Sequence, residues 1–186
     1  MKKIALATLL ASGLMAADSG LYLGLDYGKA TNTHEFTIGS SSAEYDNDYS
    51  DLKFKIGGGT DGELKFQGYL SKINYDIGVY DNQNNALYEI GFDIIKEFEV
   101  TPSFYPFVKG SFGVGRMDTD FTADGYVSEL TFNIGAGLSY KAIDHIYILA
   151  GVDYIWRRWS DLTNGSITLE TSDTALKPYI GMNYKF

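Results

Sequence analysis

Ala175-Leu176-Lys177-Pro178-Tyr179-Ile180-Gly181-Met182-Asn183-Tyr184-Lys185-Phe186 closes the chain and decides how the rest is read. Leu176, Pro178, Ile180, Met182, Tyr184 and Phe186 fall on one face of an extended backbone. Ala175, Lys177, Tyr179, Gly181, Asn183 and Lys185 fall on the other. A period of two belongs to a β-strand, which sends successive side chains to opposite sides.

The same alternation recurs upstream. Leu21, Leu23, Leu25 and Tyr27 oppose Tyr22, Gly24, Asp26 and Gly28 in a strand over about 19–29. Strands over about 51–58 and 63–72 set Leu52, Phe54 and Ile56 against Lys53 and Lys55, and Leu64, Phe66 and Leu70 against Glu63, Lys65 and Gln67. Tyr88, Ile90, Phe92 and Ile94 oppose Glu89, Gly91 and Asp93 over 86–98, and Val108, Phe112 and Val114 oppose Lys109 and Gly113 over 104–116. Tyr126 to Tyr140 alternates against Glu129, Thr131 and Asn133, and Ile146 to Trp156 against Tyr147, Gly151, Asp153 and Arg157. With the terminal segment this makes eight strands. Ile73, Tyr75, Ile77 and Val79 alternate out of phase with the strand before them, which predicts a bulge and a loop extension over 73–85.

Connections at 58–62, 99–102 and 141–144 are short; those at 30–50, 73–85, 117–125 and 158–174 are long and polar. A soluble barrel has no reason to segregate long loops to one end. An even-stranded membrane barrel with both termini on the periplasmic side does. Strand lengths of about 9–11 residues suit a tilted crossing of the apolar layer. Tyr27, Tyr88, Phe104, Tyr126, Tyr140, Tyr154, Trp156, Tyr184 and Phe186 mark the ends of the apolar face, where interfacial girdles sit. The polar face carries Lys53, Lys55, Lys65, Lys109, Arg157, Lys177 and Lys185 against Asp26, Glu63, Glu89, Asp93, Glu129 and Asp153. Near balance of sign favours a closed lumen of ion pairs, because buried charge must be paired; the competing reading is a solvated outer face. The expected fold is an all-β, eight-stranded antiparallel up-and-down transmembrane β-barrel over residues 18–186.

Residues 1–17 read as a signal peptide: Lys2-Lys3, an apolar run from Ile4 to Leu14, then Ala16-Ala17. The alternative is a retained anchor. Export implies a Gram-negative outer-membrane location. The formal charge is −9; loss of Lys2 and Lys3 takes the mature chain to −11, a poor surface for nucleic acid. With no cysteine and two histidines, thiol catalysis and a thiolate zinc site are excluded, and no metal or cofactor is expected.

These features resemble the small outer-membrane barrels related to the OmpA membrane domain, OmpX and the opacity-type adhesins, often labelled porin family. The signal peptide, the eight alternating segments and Tyr184-Lys185-Phe186 carry the likeness. In that family a terminal Phe with alternating apolar residues resembles the signal read by the barrel-assembly machinery, so Tyr184 and Phe186 are its expected carriers. OmpA-type proteins add a peptidoglycan-binding domain, which is not expected here because the chain stops at Phe186.

Three functions compete. The first is a non-enzymatic monomer for envelope integrity or adhesion, with outer-membrane lipid, lipopolysaccharide and a host or surface ligand as partners of its loops. Its structural charges would be Lys53, Lys55, Lys65, Glu89, Asp93, Lys109, Glu129, Asp153 and Lys177. Loop acids such as Glu35, Glu44, Asp46, Asp161 and Glu170 either bridge to lipid phosphates through divalent cations or are simply solvated. The second is a small-solute porin, disfavoured because eight strands enclose only enough room for side chains. The third is an interfacial lipid-modifying enzyme, which needs a base beside its nucleophile; neither His34 nor His145 has a serine at matching spacing. Gly57-Gly58-Gly59 reads as a turn. Trp156-Arg157-Arg158-Trp159 reads as a girdle with adjacent bases or a lipid-phosphate contact.

Overall fold

The computed structural model describes residues 20–80, 85–120, 122, 124–164 and 167–186; the signal-peptide expectation lies outside them. Ten strands follow in order: β1 (Leu21–Ile38), β2 (Ser41–Asp46), β3 (Tyr49–Gly59), β4 (Leu64–Tyr75), β5 (Ala86–Glu97), β6 (Phe104–Asp118), β7 (Tyr126–Ile143), β8 (Ile146–Trp159), β9 (Leu162–Asn164) and β10 (Ile167–Lys185). Eight of them, β1, β3 to β8 and β10, are antiparallel staves, and pairing of β1 with β10 closes the barrel.

One register row fixes its geometry. Leu25 pairs with Phe54, then Leu70, Ile90, Val114, Leu130, Arg158 and Ser172 in turn. Ser172 returns the row to β1 at Glu35, ten residues beyond Leu25 (35 − 25 = 10). A stagger of that size over eight strands corresponds to a tilt of about 40°, and the interior is then just wide enough to be filled by side chains.

The two faces are inverted relative to a soluble protein. Ile180 is 66 % exposed and Asp93 is 0 % exposed. Rows such as Leu176, Ile180 and Met182 therefore point away from the barrel, while lysines and carboxylates fill it. Only contact with acyl chains makes that arrangement favourable. Among the described residues no helix is long and apolar enough to cross a membrane, so a crossing falls to the strands.

Sequence and structure differ in three places. Residues 30–50 and 158–174 are not plain loops. β1 and β10 run on together past the barrel, with β2 folding back along β1 and β9 along β10. The β1–β2 turn uses Gly39 at φ +60°, a left-handed conformation that glycine adopts without strain. The second difference is the bulge expected near residue 73. The β3–β4 register is unbroken to Tyr49 opposite Tyr75, and Ile73 and Tyr75 continue the inward row of Lys65, Gln67, Tyr69 and Ser71. The apparent change of phase is a change in the lumen's filling, from polar to apolar. Third, Glu63, expected inside, is exposed in the β3–β4 turn.

Candidate functional site

The lumen is built radially as glycine, ring and ammonium. Gly91 and Gly113 leave the wall bare, so the Tyr69 ring lies against it; a Cβ at Gly91 would come within 2.3 Å of that ring. Lys53 Nζ sits 3.7 Å from the Tyr69 centroid on the axial side. The pattern repeats with Gly151, the Tyr179 ring and Lys109 Nζ, 4.4 Å from its centroid. A cation over an aromatic face is stabilised by the ring quadrupole. Wall glycines thus make room for rings, and rings hold lysines.

The carboxylates complete the filling. Lys55 pairs with Asp26 at 2.5 Å, and Lys65 with Glu97 at 2.8 Å. Lys109 pairs with Asp153 at 3.0 Å; Lys177 bridges Asp51 and Asp153. Gln67 donates to Asp93 and accepts from the Tyr22 hydroxyl at 2.9 Å. Nearer the outer end, Arg157 meets Asp173 at 2.9 Å, Glu129 at 3.6 Å and Glu89 at 3.7 Å, and donates to the Tyr75 and Thr131 hydroxyls. Two apolar clusters pack among the charges inside the lumen: Tyr49, Ile73, Leu87, Met117 and Trp159 toward the outer end, and Ile95, Tyr105, Phe107, Tyr147 and Leu149 toward the inner end beside Lys65 and Glu97. A void of about 10 Å³ beside Asp26, Lys55 and Gln67 has room for a single water.

All nine lysines and carboxylates singled out from the sequence face this lumen and are buried, as are Asp26 and Arg157. Asp51, Glu97 and Asp173 belong with them and were missed. Each had a usable signal: Asp51 is two residues before Lys53, Glu97 four after Asp93, and Asp173 four before Lys177, all on the inward phase. The balance of sign changes accordingly. Buried Asp26, Asp51, Glu89, Asp93, Glu97, Glu129, Asp153 and Asp173 outnumber Lys53, Lys55, Lys65, Lys109, Arg157 and Lys177, eight to six among the described residues.

At the inner end Asp61, in the β3–β4 turn, holds Lys65 at 2.9 Å, Lys185 at 3.0 Å and the Tyr147 hydroxyl at 2.5 Å. Partial burial opposes its ionisation, but the Tyr147 hydrogen bond and the two ammoniums win and hold its carboxyl down at about 2. This one side chain ties the first turn to β8 and to the chain terminus. Tyr184 and Phe186 point outward and pack edge to face, 5.1 Å between centroids.

The outer extension is a sheet in the order β2–β1–β10–β9. One face carries His34, stacked on Tyr45 at 5.1 Å and tilted on Tyr75 at 5.3 Å. Oriented to satisfy both ends, the Asn32 amide accepts from His34 Nε2 at 3.1 Å and donates to Asp173 at 3.0 Å. Burial lowers the His34 pKa to about 4, aided by Arg157 and opposed by Asp173. The other face carries Thr31, Thr33, Glu35 and Thr37, with Glu35 directly opposite Glu44. Asp46 accepts from Thr33, and Asp161 and Glu170 accept from Arg158. His145 lies at the opposite end of the barrel, bonded to the Lys185 carbonyl at 2.8 Å. Trp156-Arg157-Arg158-Trp159 is split by the pleat: Trp156 and Arg158 point outward, Arg157 and Trp159 into the lumen.

No family model and no curated protein matches the chain. Solved structures do. Neisserial surface protein A superposes with a TM-score of 0.58 at 16 % identity, covering 89 % of this chain and 97 % of that one. Outer membrane protein AlkL, determined in lipid bilayers, gives 0.54 at 14 % identity, covering 90 % of each chain. OprG of Pseudomonas aeruginosa gives 0.53 at 9 % identity over 90 % and 96 %. The fold is that of the small outer-membrane β-barrels.

Proposed function

We propose that this chain is a non-enzymatic outer-membrane β-barrel, exported by its first residues, monomeric, and acting at the cell surface through its outer extension. The observation that carries the reading is the contrast between a filled lumen and a projecting sheet. Inward side chains from every stave are buried, and apolar clusters pack among the charges toward both ends. Such a tube gives a rigid support and offers little path for solutes. β1 and β10 then carry a two-faced sheet above it, with polar Thr and Glu side chains free to meet a ligand.

The enzyme reading has little support. His34 is packed among rings and bonded to Asn32, and His145 faces a backbone carbonyl. Replacing residues 33–46 by a short turn tests the surface reading. The barrel should still fold and shift on a heat-modifiability gel, while adhesion of expressing cells falls. Unchanged adhesion would remove the extension from the function. In planar bilayers the protein should give little steady conductance; large, stable channels would favour the porin alternative.

A further inference from the structure

Below the outer rim the outward rows of the eight staves carry no carboxylate; at the rim, Asp118 ends the outward row of β6, one pleat beyond Arg116. The other outward charges of the barrel are basic: Lys29, Lys72, Arg116 and Arg158 at the outer rim and Lys96 at the inner. This is unexpected in a chain of 24 acids and 15 bases. Arg158 is engaged by Asp161 and Glu170. Lys29 and Lys72 have no carboxylate within ion-pair distance among the described residues. Arg116 has one exposed contact, to Asp118 at 3.7 Å through Nε, which leaves its terminal nitrogens open.

Register groups these cations. Lys72 on β4, Tyr88 on β5 and Arg116 on β6 occupy one row and point outward. Lys72 Nζ is 5.9 Å from the Tyr88 centroid, and the Arg116 guanidinium is 5.0 Å from that of Tyr126. Two strand spacings put the Lys72 and Arg116 backbones about 10 Å apart, with the Tyr88 ring between them. Lys29 lies on β1, opposite Ser50 and one pleat beyond Tyr27. All sit where the apolar band ends, at the headgroup level of the outer leaflet.

We propose that Lys72, Tyr88 and Arg116, with Lys29, form a docking site for a phosphorylated glycolipid carrying two phosphates on a sugar core. Two cations flanking a ring are set too far apart for a single phosphodiester. They suit two phosphates joined by sugar rings, with Tyr88 offering its face to the sugar. A guanidinium and two ammoniums supply charge-assisted hydrogen bonds to phosphate oxygens, and neighbouring acyl chains meet Leu52, Leu70, Ile90 and Val114. The inference rests on the outer-membrane reading.

Purified, refolded protein in neutral detergent is titrated with bis-phosphorylated lipid A, mono-phosphorylated lipid A and phosphatidylglycerol, and binding is followed by native mass spectrometry. The variant K29Q/K72Q/R116Q is compared with the inner-rim control K96Q/K141Q, Lys141 lying at the inner end of β7, 3.3 Å from Asp144. The triple variant should lose about tenfold or more in affinity for the bis-phosphorylated lipid. The control should change less than about twofold on the same scale. The wild-type protein should prefer two phosphates over one and over phosphatidylglycerol. Equal binding by the triple variant, or equal affinity for phosphatidylglycerol, overturns the proposal. Cell fractionation is scored separately: absence from the outer membrane defeats the location, whereas the titration reads the site itself.

Discussion

The barrel and its outer extension are made from the same two long strands, yet they solve opposite problems. Below the rim, β1 and β10 put Leu25, Tyr27, Ile180 and Met182 outward and bury Asp26 and Lys177. Above it, the same strands put Thr33, Glu35 and Ser172 on the outer side and bury Asn32, His34 and Asp173. Lipid demands an apolar outer face and water does not. The extension also has what the barrel lacks, open edges at β2 and β9. β2 is short and carries Glu44 and Asp46, the usual protection of an edge from further pairing.

Arg157 is where the two regions join, so its loss should have the largest effect. Arg157→Met leaves Glu89, Glu129 and Asp173 around a site without its cation. Breaking such a buried cluster typically costs about 3–5 kcal/mol. Urea unfolding in lipid vesicles should show that loss, with the extension loosening as well. A drop under about 1 kcal/mol would mean the node is not a shared support.

Gly137→Val probes the barrel alone. A Cβ there meets the Ala150 carbonyl oxygen and the Phe107 ring, each at 2.5 Å, and neither the backbone nor the packed ring can yield cheaply. The expected cost is about 2–3 kcal/mol, read by the same unfolding with hydrogen exchange in the extension unchanged.

His34 probes the extension, at its junction with the node. Its folded pKa of about 4 lies below the ordinary 6.5, so between those values the unfolded state binds more protons. Stability from this group is intact above pH 6.5, declines as pH falls and is gone below 4, a loss of roughly 3 kcal/mol. Limited proteolysis should cut near 33–46 faster at pH 4.5 than at pH 7, with the barrel intact. His34→Phe should flatten that dependence. The smallest effect belongs to the outer face: Glu35→Lys removes a directly opposed like-charge pair with Glu44 and should stabilise the extension by about 0.5 kcal/mol.

The same comparison explains what the sequence discloses. In the barrel, alternation pairs extremes, as in Leu52-Lys53-Phe54-Lys55-Ile56, and the strand, its faces and its charges can all be read. In Thr31-Asn32-Thr33-His34-Glu35-Phe36 both faces are mixed, because both the node and the water-facing side tolerate polar groups. The stretch therefore reads as a loop. Ile73 and Tyr75 mislead for the converse reason: apolar side chains at the outer end fill the lumen, so hydrophobicity there no longer marks the lipid side. The shear, the glycine–ring–lysine stacking and the role of Asp61 depend on registers between strands distant in sequence, which no single segment encodes.

Outward rows meet lipid and inward rows fill the lumen, and the two tryptophans, three residues apart, report on each side separately. Trp156 is 42 % exposed on the outer face; Trp159 is 1 % exposed and donates to Asp173. In vesicles of brominated phosphatidylcholine, the Trp159→Phe protein should be strongly quenched and the Trp156→Phe protein hardly at all. Equal quenching, or stronger quenching of Trp159, would contradict the inside-out barrel.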